Sequence, residues 1–241
     1  MSLKKYLILS LLFLTISCSK RQEEGASVTK DVSVDKDQNT FDHSIRLTKN
    51  SLKRIKKYES VIKKYSNKYD VDWRLIVAII MRESSFHTNA VSRVGAKGLM
   101  QIMPRNEEYL ESELDIDYIY ERPEENIKAG IYHLKQQLDF FNEVQNTEFH
   151  MKIALASYNA GYGRVRDAIN LSHYLNGNNP YAWKNIKLAL NKLKPKDYEL
   201  HLDVWISGKP KYGYFKNPKE TIVYVEKIMN YHDYFSTVFE P

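Results

Sequence analysis

The chain has 241 residues, enough for one globular domain with accessory segments or for two small domains. Its hydrophobic fraction of 43%, with 18 tyrosines and 9 phenylalanines, can fill a packed core and excludes a chain disordered throughout. The net charge of +6 suits an anionic polymer, but no basic block interleaved with aromatics marks a nucleic-acid surface, and a single cysteine excludes an internal disulfide. No nucleic acid is therefore expected as a partner.

At the start of the chain, Lys4 and Lys5 precede an apolar run over 6–16. A helix needs about 20 apolar residues to cross a bilayer, so this run is too short and reads as the apolar part of a signal peptide spanning 1–17. Small Ser17 then precedes Cys18, a placement that resembles a bacterial lipobox, with Thr15 where that pattern prefers Leu. The resemblance implies export, lipidation at Cys18 and a membrane as partner through the lipid anchor. The alternative is an incidental cysteine behind an ordinary signal peptide. The polar, mixed-charge stretch that follows reads as a flexible tether over 18–42.

Over 43–69, apolar residues recur at Ile45, Leu52, Ile55, Tyr58, Ile62 and Tyr65 with lysines between them, which predicts a long amphipathic N-terminal helix within a segment 43–70. A second helix is expected over 73–85 with Asp72 as its N-cap. Pro104 and Pro123 punctuate the middle of the chain, and helical periodicity returns over 124–141, 148–158, 163–171, 181–193 and 218–235. Alternation typical of a strand is confined to short stretches such as 204–206. The expected fold is mainly α, with the segment 71–241 forming one domain.

Glu83 stands out on the second helix. Ile76, Ile79 and Ile80 lie seven, four and three residues before it, so a carboxyl falls on the apolar stripe. Burial disfavours the charged form, and a carboxyl that keeps its proton to higher pH suits a general acid. The pattern alone leaves open that Glu83 reaches water from a frayed helix end. Histidines form no ligand cluster, and the glycines at 95, 98, 161 and 163 lack the Lys and Ser/Thr of a phosphate loop, so neither a metal nor another cofactor is expected. These glycines are expected to permit close backbone approach.

Four segments carry a family resemblance: ESSF at 83–86, AVSRVGAKGLMQIMP at 90–104, ALASYNAG at 154–161 and ETIVYV at 220–225. In this order they resemble the motifs of the lytic transglycosylases with a catalytic domain of the soluble-lytic-transglycosylase type. Ser157 stands where the family often has Ala, and Tyr162 where Pro is common. The resemblance implies a lysozyme-like helical domain with a catalytic helix and a saccharide cleft. It implies an envelope enzyme, a carbon–oxygen lyase acting on peptidoglycan glycan strands.

That enzyme would cleave the β-1,4 bond between N-acetylmuramic acid and N-acetylglucosamine without water, leaving 1,6-anhydromuramyl ends. Glu83 would be acid and then base. Carried over position by position, Ser92, Gln101 and Met103 would line the cleft, Tyr158 and Asn159 would sit beside Glu83, and Tyr224 would reach its carboxyl with Glu220 nearby. A standard glycosidase needs two carboxylates, and no Asp or Glu occurs between Glu83 and Pro104. This favours the single-acid reaction over the alternatives, a hydrolytic muramidase or an inactive peptidoglycan-binding scaffold.

Overall fold

A computed structural model describes residues 47–240. The signal peptide, the tether, Cys18 and the first residues of the 43–70 segment lie outside the described residues.

Helix α1 (Lys49–Tyr69) begins where the Thr48 hydroxyl accepts the Ser51 N–H at 3.1 Å, six residues later than its apolar pattern starts. Its buried residues Ile55, Tyr58, Ile62 and Ser66 follow the helical period, while its lysines lie on the other face. Asp70 closes it in the left-handed conformation. Asp72 then caps α2 (Trp73–Ser84), its carboxylate accepting the Arg74 N–H at 2.9 Å. This cap matches the expectation from sequence.

From Leu75 to Ile80 every residue of α2 is buried. Each of its isoleucines contributes about 1.5–3 kcal/mol by leaving water. The other helices are laid around it: α3 (Glu107–Leu114), α4 (Pro123–Asp139), α5 (Thr147–Ala160), α6 (Tyr162–Leu175), α7 (Trp183–Lys192), α8 (Tyr198–Leu202) and α9 (Pro218–Val238). The longest helix pairing joins α2 to α9; α9 also packs on α5, and α4 packs on both α1 and α5. These pairings bring the C-terminal end of α2 up against α5 and α9.

Among the described residues there is no strand, only isolated bridges from Lys97 to Val91 and to Ile102. The stretch 204–206, which alternates in sequence, is a turn. His201 draws the chain in there: it is fully buried and its Nε2 bonds the Lys192 carbonyl at 2.8 Å. Helices α3 and α8 were not expected. The first buries only Leu110, and the second is five residues long, so neither writes a period into the sequence.

Candidate active site

Glu83 is the penultimate residue of α2, on the flank that carries Ile76, Ile79 and Ile80 into the core. Two residues in left-handed conformation follow the helix, Ser85 (φ 49°) and Phe86 (φ 61°), and they turn the chain sharply away. Ser84 fixes that turn: its hydroxyl donates to the Leu99 carbonyl at 2.9 Å and accepts the Phe86 N–H at 3.2 Å. The end of α2 is thereby tied to the 90–104 loop rather than frayed.

Across from it, the Tyr224 hydroxyl on α9 donates to Glu83 Oε1 at 2.6 Å. The Arg82 guanidinium lies over the Tyr224 ring, 5.7 Å from its centre. Burial is the largest influence on the Glu83 carboxyl and pushes its pKa up to about 7, although the Tyr224 hydrogen bond and the Arg82 charge both pull it down. Glu83 is therefore split between acid and carboxylate near neutral pH. Arg82 is the charged group that acts on it; no second carboxylate does so among the described residues.

Tyr158 on α5 donates to the Met100 carbonyl at 2.8 Å. Burial raises its pKa well above the usual phenol range, and the Glu83 charge raises it further, which places the two groups within electrostatic reach. Its ring packs on His133 of α4 with centres 5.2 Å apart. Burial lowers the His133 pKa, so this imidazole is neutral at neutral pH. Asn159, one residue on, is exposed and accepts the Thr221 hydroxyl of α9 at 2.7 Å. That bond ties the last turn of α5 to the first turn of α9, one turn before Tyr224.

The 90–104 loop is held by its own polar side chains. Ser92 accepts the Ala96 N–H at 2.9 Å, closing a turn. Gln101 (φ 50°) donates through Nε2 to the Ala90 carbonyl at 3.0 Å and the Gly98 carbonyl at 2.9 Å. Buried Asn126 on α4 accepts the Met100 N–H at 2.9 Å and donates to the Lys97 carbonyl at 3.3 Å. Gly98 makes this approach possible. Its φ is +84°, and a Cβ there would stand 2.3 Å from Asn126 Nδ2. Gly98→Ala is therefore expected to cost about 2 kcal/mol or more, read as a lower urea midpoint at unchanged slope.

Of the residues expected at the site, Glu83, Tyr224 and Tyr158 form one cluster, with Asn159 joined to it through Thr221. Ser92 and Gln101 serve the loop that carries Met100. Met103 is half-buried at the start of the turn Pro104–Asn106, and Glu220 is exposed on the first turn of α9; neither has a side-chain hydrogen bond. Arg82, Asn126, His133 and Thr221 were not expected. Thr221 lies three residues before Tyr224 and so shares its helix face, a spacing that could have pointed to it. Asn126 is a lone polar residue in an otherwise apolar helical pattern.

Two cavities adjoin this cluster. One, of about 290 Å³, is lined by Phe86 and His87 and by Arg54 and Tyr58 of α1. The other, of about 470 Å³, opens at Ala160 and Gly161 behind Asn159. Glu83 lines neither. Among the described residues no group of His, Cys, Asp and Glu could hold a metal ion, and no helix is long and apolar enough to cross a membrane.

The sequence profile of the family described as the transglycosylase SLT domain matches residues 60–180, a segment that contains Glu83, the 90–104 loop and Tyr158. The chain is 32% identical over 180 residues to the membrane-bound lytic murein transglycosylase F of Desulfosudis oleivorans, covering 75% of this chain and 36% of that protein. With the protein of the same name from Shewanella halifaxensis the identity is 33% over 182 residues, covering 75% and 34%. The chain thus spans about a third of the length of these relatives. Among solved structures, an inactive mutant of the lytic transglycosylase Slt from Pseudomonas aeruginosa matches at 27% identity, with a TM-score of 0.47 over 75% of this chain and 24% of that one. The 70 kDa soluble lytic transglycosylase of Escherichia coli matches at 24% identity and a TM-score of 0.49 over the same shares. With half of its residues matched by the profile, this chain belongs to the family of the transglycosylase SLT domain.

Proposed function

We propose that the protein cleaves the β-1,4 bond between N-acetylmuramic acid and N-acetylglucosamine in peptidoglycan without water, using Glu83 first as acid and then as base. The observation that carries this reading is a single buried carboxyl with a pKa of about 7 and no second carboxylate acting on it. Its protonated form donates to the glycosidic oxygen, which leaves with that proton as the new hydroxyl of N-acetylglucosamine. The resulting carboxylate takes the proton of the muramyl 6-hydroxyl as that oxygen bonds to the anomeric carbon. The 1,6-anhydro ring closes and Glu83 ends protonated, ready for another cycle.

Tyr224 is suited to this double duty. Its hydrogen bond to Oε1 steadies the carboxylate that forms in mid-reaction and fixes the orientation of the carboxyl. Gln101, whose Nε2 is engaged in the loop, keeps its side-chain oxygen for a sugar hydroxyl, and Asn159 keeps its amide nitrogen. Ser92, Met103 and Glu220 complete the proposed saccharide path. In this reading the segment 71–241 is the catalytic domain, exported behind the signal peptide 1–17 and held at an envelope membrane by lipid on Cys18, with 18–42 as tether and 43–70 as a helical support. The names of the relatives, membrane-bound lytic murein transglycosylases, agree with that placement.

Mass spectrometry of digested sacculi tests the reaction. Muramyl ends that lack one water relative to hydrolytic ends are expected. Reducing ends alone would make the protein a hydrolase, and undigested sacculi would leave it a binding protein.

A further inference from the structure

The cavity of about 470 Å³ behind Asn159 has a chemistry that a neutral sugar does not call for. Its volume is in the range of small-ligand sites. Three cationic side chains line it, Arg105, Arg164 and Lys216, and no acidic one does. None of the three makes an ion pair or a side-chain hydrogen bond among the described residues. Arg164 feels the charge of Asp167, but that acid is fully buried and committed to the backbone N–H groups of Lys211 at 3.1 Å and Tyr212 at 2.7 Å.

The walls are aromatic and fixed. Tyr212 lies against Gly163, where a Cβ would stand 2.4 Å from its ring. Tyr162 takes a hydrogen bond from Arg166 Nε at 3.1 Å and meets Tyr212 edge-on with centres 6.1 Å apart. The Phe215 N–H donates to the Leu193 carbonyl at 2.7 Å, which holds the far side. Helix α6 starts in the cavity with no side-chain cap and no acid in its first turn, a smaller addition to the positive potential. The site is therefore a rigid, positively charged recess rather than a few solvated lysines.

Its position is tied to the cleavage site by two helices. Ala160 lies two residues after Tyr158 on the last turn of α5. Asn217 lies seven residues before Tyr224, about 10 Å along the axis of α9. Whatever occupies the recess is held within a few sugar lengths of Glu83. Peptidoglycan carries its negative charge on peptide branches, whose carboxylates match guanidinium and ammonium groups.

We propose that this recess binds a carboxylate of the peptide branch of the glycan strand, so that the protein selects peptide-bearing strands for cleavage. The proposal rests on the reading of Glu83 given above, and its test does not require turnover. Full-length protein carrying Glu83→Gln is titrated by calorimetry with the stem tetrapeptide released from peptidoglycan by an amidase. The same peptide with its carboxyls amidated, and peptide-free glycan strands, serve as controls.

The free peptide should bind, amidation should weaken it about tenfold, and Arg164→Gln with Lys216→Gln should weaken it by a similar factor. Arg164→Lys, which keeps the charge, should recover part of the loss, and an unchanged melting temperature shows that the variants fold. Lys216→Glu alone, at an exposed loop position, should also weaken binding. Equal binding of the amidated peptide, indifference to the paired substitution, or no binding of the free peptide overturns the proposal. Binding of peptide-free strands that falls with the same substitutions makes the recess a sugar site and overturns it equally. Failure of the cleavage reading is seen separately, as the absence of anhydro ends from wild type.

Discussion

Glu83→Gln is expected to lower glycan cleavage by about 10³-fold or more while the protein stays folded, because Gln keeps the shape and the Tyr224 partner but can neither give nor take the proton. Stability is expected to move the opposite way, and its dependence on pH has a definite sign. The pKa of Glu83 is raised from 4.5 to about 7 by burial. Below 4.5 the group is neutral both folded and unfolded and costs nothing. Between 4.5 and 7 only the unfolded chain ionises, so wild type loses stability as pH rises, and above 7 the full cost is present.

At roughly 1.4 kcal/mol per pH unit that cost reaches up to about 3 kcal/mol. Gln has no such cost. Urea unfolding should show the variant equal to wild type at pH 4 and more stable at pH 8. A variant that is inactive because it is unfolded would show the reverse.

Tyr224→Phe is the second large effect, and it separates the two halves of the reaction. The Tyr224 hydroxyl favours the carboxylate of Glu83 and so lowers its pKa against the pull of burial. Hydrogen bonds to charged groups are worth about 1.5–3 kcal/mol, so its removal should raise the Glu83 pKa by one unit or more. In wild type, cleavage should fall as pH rises through about 7, where the acid loses its proton. In the variant this alkaline limb should lie at least one unit higher, while the maximal rate drops because the mid-reaction carboxylate has lost its donor. Profiles measured from pH 5 to 9 on the same sacculi check this. A reduced rate with an unmoved limb would mean that Tyr224 acts only through packing.

Much of the site could be read in the sequence because it is written in short spacings. A capping Asp72, an apolar stripe and a carboxyl on that stripe are all local, and the structure keeps each of them. What remained hidden is polar and distant. Asn126 lies 26 residues from the Met100 amide it holds, and no periodicity announces a buried amide. Arg82, beside Glu83 in the chain, points on a different side of α2 and meets the carboxyl's surroundings only by lying over Tyr224.

Ser92 and Gln101 show the converse. The motif drew attention to them as ligands, whereas their hydrogen bonds go to the loop itself, which Gly98 and Asn126 hold against α4. A loop built this way sets where Met100 presents its carbonyl to Tyr158. Helices α3 and α8 escaped for another reason, since too little of either is buried to leave a pattern.

The central claim is that one enclosed carboxyl is half-protonated at the pH where the enzyme works. Carbon-13 NMR of the full-length protein, with the Glu83 carboxyl assigned by its loss in Glu83→Gln, measures this without substrate. A titration midpoint near 7 is predicted. A midpoint near 4.5, the ordinary value for a solvated glutamate, would contradict the account, because such a group would have given up its proton before it could deliver it to a sugar.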